Sequence, residues 1–168
     1  CGIAGFQIFK NNLGIDFKKK IKEITEVINH RGPDSEGFWS CDKEQIYFGH
    51  KRLSIIDLSI KGKQPMISNN GRFIITYNGE IYNYKNLKKL LESRYGVKFK
   101  NKTDTQVILE LISIFGLYEA LQMMEGMFAF VLFDKQSKVV SLVRDRFGEK
   151  PLFYYIDNKY VVFSSELK

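Results

Sequence analysis

The run Phe128-Ala129-Phe130-Val131-Leu132-Phe133 is apolar at every position. It reads as the middle of a strand over 127–134. A strand with one face in water alternates polar and apolar residues, so one with no polar face must be covered on both sides. Working outward, further strand-like runs lie at 45–50, 53–57, 72–78, 139–143, 152–156 and 160–164, with helical patterns at 85–94 and 104–115. Strands at both ends of the chain, with helices grouped mainly between them, argue for an α+β fold with antiparallel sheets. Stacked sheets flanked by helices cover a two-faced strand, so the expected architecture is a four-layer α/β/β/α sandwich.

The N-terminal third fits this plan. Residues Gly2-Ile3-Ala4-Gly5-Phe6-Gln7-Ile8-Phe9 read as a strand whose early glycines mark close backbone approach. Phe17, Ile21, Ile24, Val27 and Ile28 then fall at helical spacing over 16–29, and Gly32-Pro33 ends that run. Tight turns are expected at 68–71 and 157–158. No repeat, low-complexity segment or linker interrupts the chain, and its 168 residues make one domain, 1–168, large enough for a layered core.

Composition narrows the class of function. A hydrophobic content of 44% and an aromatic content of 14% are those of a globular protein, and no apolar run is long enough to cross a bilayer. The net charge of +7 is scattered. The densest basic run, Lys18-Lys19-Lys20-Ile21-Lys22, sits on an amphipathic helix and reads as a solvated face, so no nucleic acid is expected as partner. Two cysteines make no disulfide framework, and neither CxxC nor HxxxH spacing offers a metal site. The expected compartment is the cytoplasm.

The chemistry centres on Cys1. A free N-terminal cysteine has a thiol of pKa near ~8.5 and an α-amine near ~7.7–8.0. The amine can take the thiol proton, directly or through a water, which gives nucleophile and base in one residue. The start at Cys1, without methionine, is read as processing that frees this residue. A chance chain boundary, a half-cystine paired with Cys41 and a lipidated anchor are the competing readings. The anchor fits poorly, because a strand begins at once where a lipoprotein carries a flexible polar tether.

Other segments offer partners for such a nucleophile. In Tyr77-Asn78-Gly79-Glu80, Asn-Gly is a type I′ turn signal, and equally an Asn amide beside an unblocked Gly N–H that can form an oxyanion hole. Arg52, in Lys51-Arg52-Leu53-Ser54-Ile55, can fork onto a substrate carboxylate or form a surface ion pair. Thr103 and Gln106 match a capping box, placing Asp104 in the first helical turn. There a carboxylate suits the helix dipole and can also hold an ammonium group. The polar loop 30–37 is either substrate-proximal or a turn, and the charged loop 144–151 has no assigned chemistry.

Taken in order, Cys1-Gly2-Ile3-Ala4-Gly5 and the segments 30–37, 51–59, 64–65, 77–84, 102–109, 125–134, 144–155 and 164–168 resemble the glutamine amidotransferase domain of glutamine-hydrolysing asparagine synthetases. The resemblance runs the length of the chain. It implies the α/β/β/α fold of N-terminal nucleophile hydrolases. It also implies glutaminase chemistry on L-glutamine, with Cys1 as nucleophile and Asn78 with Gly79 as the oxyanion hole. Arg52 would hold the α-carboxylate and Asp104 the α-ammonium, while Glu80 and the backbone around Leu53 and Ile55 complete the pocket. No cofactor is implied for this domain. ATP and Mg²⁺ belong to a C-terminal synthetase domain, the implied ammonia acceptor, whose pyrophosphate-binding loop is not in this sequence. An isolated domain, a truncated chain and a natural single-domain protein all fit that departure, and a homodimer is compatible with the family. A hydrolase of the same fold acting on another amide, and a non-catalytic regulatory or dimerisation domain, are the alternatives.

Overall fold

A computed structural model describes residues 1–10, 14–53 and 62–167. The described residues form β1 (Gly2–Ile8), α1 (Phe17–Val27), a 3₁₀ turn (Asn29–Arg31), β2 (Ser35–Cys41), β3 (Ile46–Arg52), β4 (Met66–Ile67) and β5 (Phe73–Ile81). The helices α2 (Tyr84–Tyr95), α3 (Asp104–Phe115) and α4 (Leu117–Met123) follow, then β6 (Gly126–Asp134), β7 (Val139–Arg144), β8 (Phe153–Ile156) and β9 (Tyr160–Ser164). The strands make two sheets, ordered β2-β3-β1-β9-β8 and β4-β5-β6-β7, with antiparallel pairing throughout.

The two-faced strand explains the layering. On β6, Phe128, Phe130 and Leu132 face one way, into a cluster with Leu87 and Leu91 of α2 and Val107, Ile108 and Leu111 of α3. Val131 and Phe133 face the other way and meet Ile3, Ile46, Phe48 and Phe163 between the sheets. A third cluster sets Ile21 of α1 on Phe6, Ile8 and Tyr47 of the first sheet. The layer order is α1, first sheet, second sheet, α2–α4, which is the expected α/β/β/α sandwich.

Local chemistry sets the element ends. Asp16 accepts the Lys19 N–H at 3.0 Å and starts α1. Gly96, at φ 65°, closes α2 in the left-handed conformation. At Gly5 a Cβ would lie 2.3 Å from the Phe163 ring and 2.6 Å from the Tyr47 carbonyl, the close approach expected of that strand.

Several expectations change. Residues 35–37 of the supposed polar loop open β2, which pairs along β3 from Ser35↔Arg52 to Cys41↔Ile46. The short β4 and the helix α4 were not foreseen, and Val27 turns half-exposed, off the α1 face. Asn78-Gly79 is no turn: β5 runs through it, paired Asn78↔Ala129 and Gly79↔Phe128, because β6 supplies an unbroken partner. Leu53 lies outside any strand, and the rest of the strand expected over 53–57 falls outside the described residues. Both cysteines are free thiols, and β2 and β3 carry Cys41 to the end of the sheet opposite Cys1, about 20 Å along the strands.

Candidate active site

Strand β1 lies inside the first sheet between β3 and β9, which fixes where Cys1 sits. The Cys1 carbonyl accepts from Arg31 Nε at 3.1 Å, and Arg31 Nη1 meets Glu166 Oε1 at 3.0 Å. His30 Nε2 lies 2.9 Å from the same Glu166 oxygen. Two residues on, Ile3 N–H donates to Ser165 Oγ at 3.0 Å, and Ser165 N–H donates back to the Ile3 carbonyl at 2.9 Å. The thiol rests on Leu53, whose N–H donates to Sγ at 3.4 Å. The thiol in turn donates to the Leu53 carbonyl at 3.6 Å, so the Leu53 backbone offers a partner to both protonation states.

The Cys1 α-ammonium pKa falls from 8.0 to about 6, chiefly through desolvation and then through the charges of Arg31 and Lys150, with Asp34 opposing. The amine beside the thiol is therefore largely neutral at pH 7.

A cavity of about 210 Å³ opens at Cys1. Arg52, Leu53, Asn78, Gly79, Glu80 and Asp104 all line it, so the structure gathers the described site residues foreseen in the sequence at one place. Ile55 lies outside the described residues.

Asn78 is 5% exposed, and its amide nitrogen has no hydrogen-bond partner among the described residues. A buried donor left unpaired costs about 1–3 kcal/mol. Here it faces a cavity beside a thiol, where a ligand oxygen would satisfy it. The alternation of β5 directs this side chain toward the first sheet, with Ile74, while Ile75, Tyr77 and Ile81 face the helices.

Gly79 contributes its backbone. Opposite it, Phe128 uses both polar groups toward β7: its N–H donates to Asp145 Oδ2 at 3.2 Å, and its carbonyl accepts the Asp145 N–H at 2.8 Å. In an antiparallel pair, Gly79 then turns its N–H away from β6. That edge of β5 is paired by β4 only at Ile74 and Ile75. Along it, Tyr77 N–H goes to Gln64 Oε1 at 2.7 Å and Ile81 N–H to Asp104 Oδ2 at 3.1 Å, with Gly79 between them.

The charged pair frames the cavity. Arg52 is 9% exposed and packs against Gly62, where a Cβ would lie 2.3 Å from Nη2. Asp104, at the start of α3, accepts from Tyr77 OH at 2.7 Å and from Thr105 N–H at 2.9 Å. Burial pushes its carboxyl pKa up against these bonds, a cost that a ligand cation would relieve. Thr103 caps α3 through the Gln106 N–H at 3.3 Å, but the reciprocal arm of the capping box is not made. Gln106 Oε1 accepts from Lys100 and Asn101 instead, and Thr103 N–H donates to Asn101.

Sequence reasoning gave no site role to several lining residues, Gln64, Tyr77 and Lys150 among them. Lys150 arrives on the loop after β7, which Asp145 ties by accepting the N–H groups of Phe147, Glu149 and Lys150. An aspartate just ahead of Gly148, which sits at φ 66°, was the available signal. Among the described residues, no cluster of three or more His, Cys, Asp or Glu could hold a metal, and no helix is long and apolar enough to cross a membrane.

Two stacked antiparallel sheets between layers of helix are the fold of the N-terminal nucleophile hydrolases. The solved structure of glutamine phosphoribosylpyrophosphate amidotransferase from Bacillus subtilis matches 98% of this chain with a TM-score of 0.77 at 20% identity, over 42% of its own chain. That likeness concerns the fold. The chain itself belongs to the glutamine amidotransferase domain family, whose model matches residues 1–168. Over its full length it is 39% identical to putative asparagine synthetase [glutamine-hydrolyzing] 2 of Methanocaldococcus jannaschii and 41% identical to asparagine synthetase [glutamine-hydrolyzing] 1 of Bacillus subtilis. It spans 34% and 26% of those proteins, respectively.

Proposed function

We propose that this domain hydrolyses L-glutamine to L-glutamate and ammonia through a γ-glutamyl thioester on Cys1. The observation that carries the reading is the Asn78 amide, buried and without a partner among the described residues, beside the Gly79 N–H and in one cavity with Cys1. Two donors converging near a nucleophile suit the oxyanion of a tetrahedral intermediate. The neutral α-amine takes the thiol proton, Sγ attacks the side-chain carbonyl, and the resulting ammonium protonates the amide nitrogen as its bond to carbon breaks, releasing ammonia. Water then opens the thioester with the amine again as base.

Arg52 and Asp104 bear opposite charges on the same cavity, which matches the carboxylate and ammonium of a free amino acid. Glu80 and the Leu53 backbone are proposed as further contacts to it. The names of the relatives support a synthetase domain as ammonia acceptor. Amidation of a carboxylate there, aspartate first among candidates and with ATP and Mg²⁺, is part of the same proposal. A cytoplasmic setting and a homodimer belong to the same proposal.

The test is glutamate release from L-glutamine without ATP. The unaltered chain should turn over and Cys1→Ala should not. Asn78→Ala should lower kcat by roughly 10²–10³-fold, and Arg52→Ala should act mainly on KM. Glutamate release that survives Cys1→Ala would overturn the reading.

A further inference from the structure

Tyr77, the residue just before Asn78, is held at each of its polar groups. The ladder Ile67↔Ile74 and Met66↔Ile75, continued by two residues, would set Gln64 opposite Tyr77. β4 begins only at Met66, and the Gln64 side chain takes the place of a paired strand residue. Its Oε1 accepts the Tyr77 N–H at 2.7 Å, and its Nε2 donates to the Tyr77 carbonyl at 3.2 Å. The carboxamide thus makes the two-bond exchange of an antiparallel pair.

Gln64 is 6% exposed, and its own carbonyl lies on Gly37 of β2, where a Cβ would come within 1.9 Å. From the other sheet, the fully buried His50 places Nε2 3.0 Å from the same Tyr77 carbonyl. A carbonyl only accepts, so Nε2 carries the proton and Nδ1 does not. Burial holds the His50 pKa down at about 3, which keeps that neutral tautomer. The Tyr77 hydroxyl is held in turn by Asp104.

We infer that Gln64 and His50 are positioning residues, one on each side of the sheet interface, that fix the Tyr77 peptide and so aim the Asn78 amide and the Gly79 N–H at a common point. This rests on the glutaminase reading above. Ending the ladder with a side chain lets β5 be held at Tyr77 while its edge stays open two residues later, where a passing strand would have covered Gly79. The Gln64 amide and the His50 N–H are spent on Tyr77, while the other ring nitrogen of His50, Nδ1, is buried with no partner among the described residues.

The test uses Gln64→Met, which keeps volume and removes both bonds. A displacement of about 1 Å in a catalytic group costs up to about 10²-fold, so kcat should fall by roughly 10–100-fold with KM within about 3-fold. Alkylation of Cys1 by iodoacetamide should keep its wild-type rate. Inhibition by a γ-aldehyde analogue of glutamine, whose thiol adduct carries a tetrahedral oxygen, should weaken in step with kcat. Gln64→Glu, which turns an ionised oxygen on the Tyr77 carbonyl, should fall likewise.

His50→Gln retains a donor and should keep most of kcat, whereas His50→Leu should not. A kcat for Gln64→Met within twofold of wild type overturns the inference, as does alkylation falling equally with kcat. If Gln64→Met loses its cooperative melting transition, the His50 pair decides, and equal kcat for the two variants overturns it. An active wild type with unaffected variants sinks this inference alone, and a wild type that releases no glutamate sinks both.

Discussion

Cys1 shows how far the surroundings of one residue move its chemistry. Its ammonium would titrate near 8.0 in water but does so at about 6 here, so the base form prevails above that pH. Glutaminase kcat/KM should therefore rise with pH through about 6 and level off above it. Lys150→Met removes a charge that lowers this pKa and should move the acid limb upward. A pH profile of both proteins checks this, and a wild-type limb near 8 would remove the amine from the role of base. The residue types of the site were legible in the sequence because Cys, Asn-Gly, Arg and Asp each announce a chemistry. The lowered pKa was not, since it comes from burial and from Arg31 and Lys150, distant positions that only the fold brings near. Gln64 lies in the segment 64–65, to which the sequence assigns no task. Its partner Tyr77 is 13 positions away, and nothing local marks a side chain that will stand in for a strand.

Among elements, long patterned segments read well and short ones did not. Helix α3 and strand β9 fall at their expected bounds, and the expected span of β6 needs only Gly126 added. A buried element must satisfy its periodicity along its whole length, so its composition gives it away. The opening of β2, residues 35–37, was read as part of a loop because His30-Arg31-Gly32-Pro33-Asp34-Ser35 is polar and broken, and pairing with β3 decides the matter only in three dimensions. Strand β4 spans two residues, too few to carry a pattern. The loop after β7 has its own internal order: Asp145 accepts four backbone N–H groups, while Arg144 donates to the Gly148 and Lys150 carbonyls. Asp145→Ala leaves those donors unanswered and should cost about 1–3 kcal/mol, read as a lower melting temperature. Faster amide exchange at Phe147, Glu149 and Lys150 should accompany it. Unchanged exchange there would mean that Arg144 alone holds the loop.

At the scale of the molecule, polar bonds join the two sheets within an otherwise apolar interface. His50 of β3 donates to Tyr77 of β5, and Thr76 Oγ1 donates to the Gly49 carbonyl at 3.4 Å. The burial of His50 makes the fold acid-sensitive, against the opposing pull of its bond to Tyr77. The unfolded chain protonates this imidazole near 6.5 and the folded one only at about 3, so between these values the unfolded state binds the extra proton. Stability is then fully present above pH 6.5 and declines as pH falls toward 3, by about 2 kcal/mol at pH 5. Denaturant titrations at pH 7 and pH 5 should show that difference in the wild type and lose most of it in His50→Gln. An equal difference in both proteins would assign the acid sensitivity elsewhere. Strand order has a separate consequence. β1 is hydrogen-bonded to β9, Gly5 against Phe163, and the Ile3 amide is held by a serine 162 positions away. During synthesis β1 is made long before β9 and must wait for it before it has neighbours on both sides. The topology works as a clock: an unfinished chain carries an ordinary cysteine, and the armed one arrives with the completed sheet.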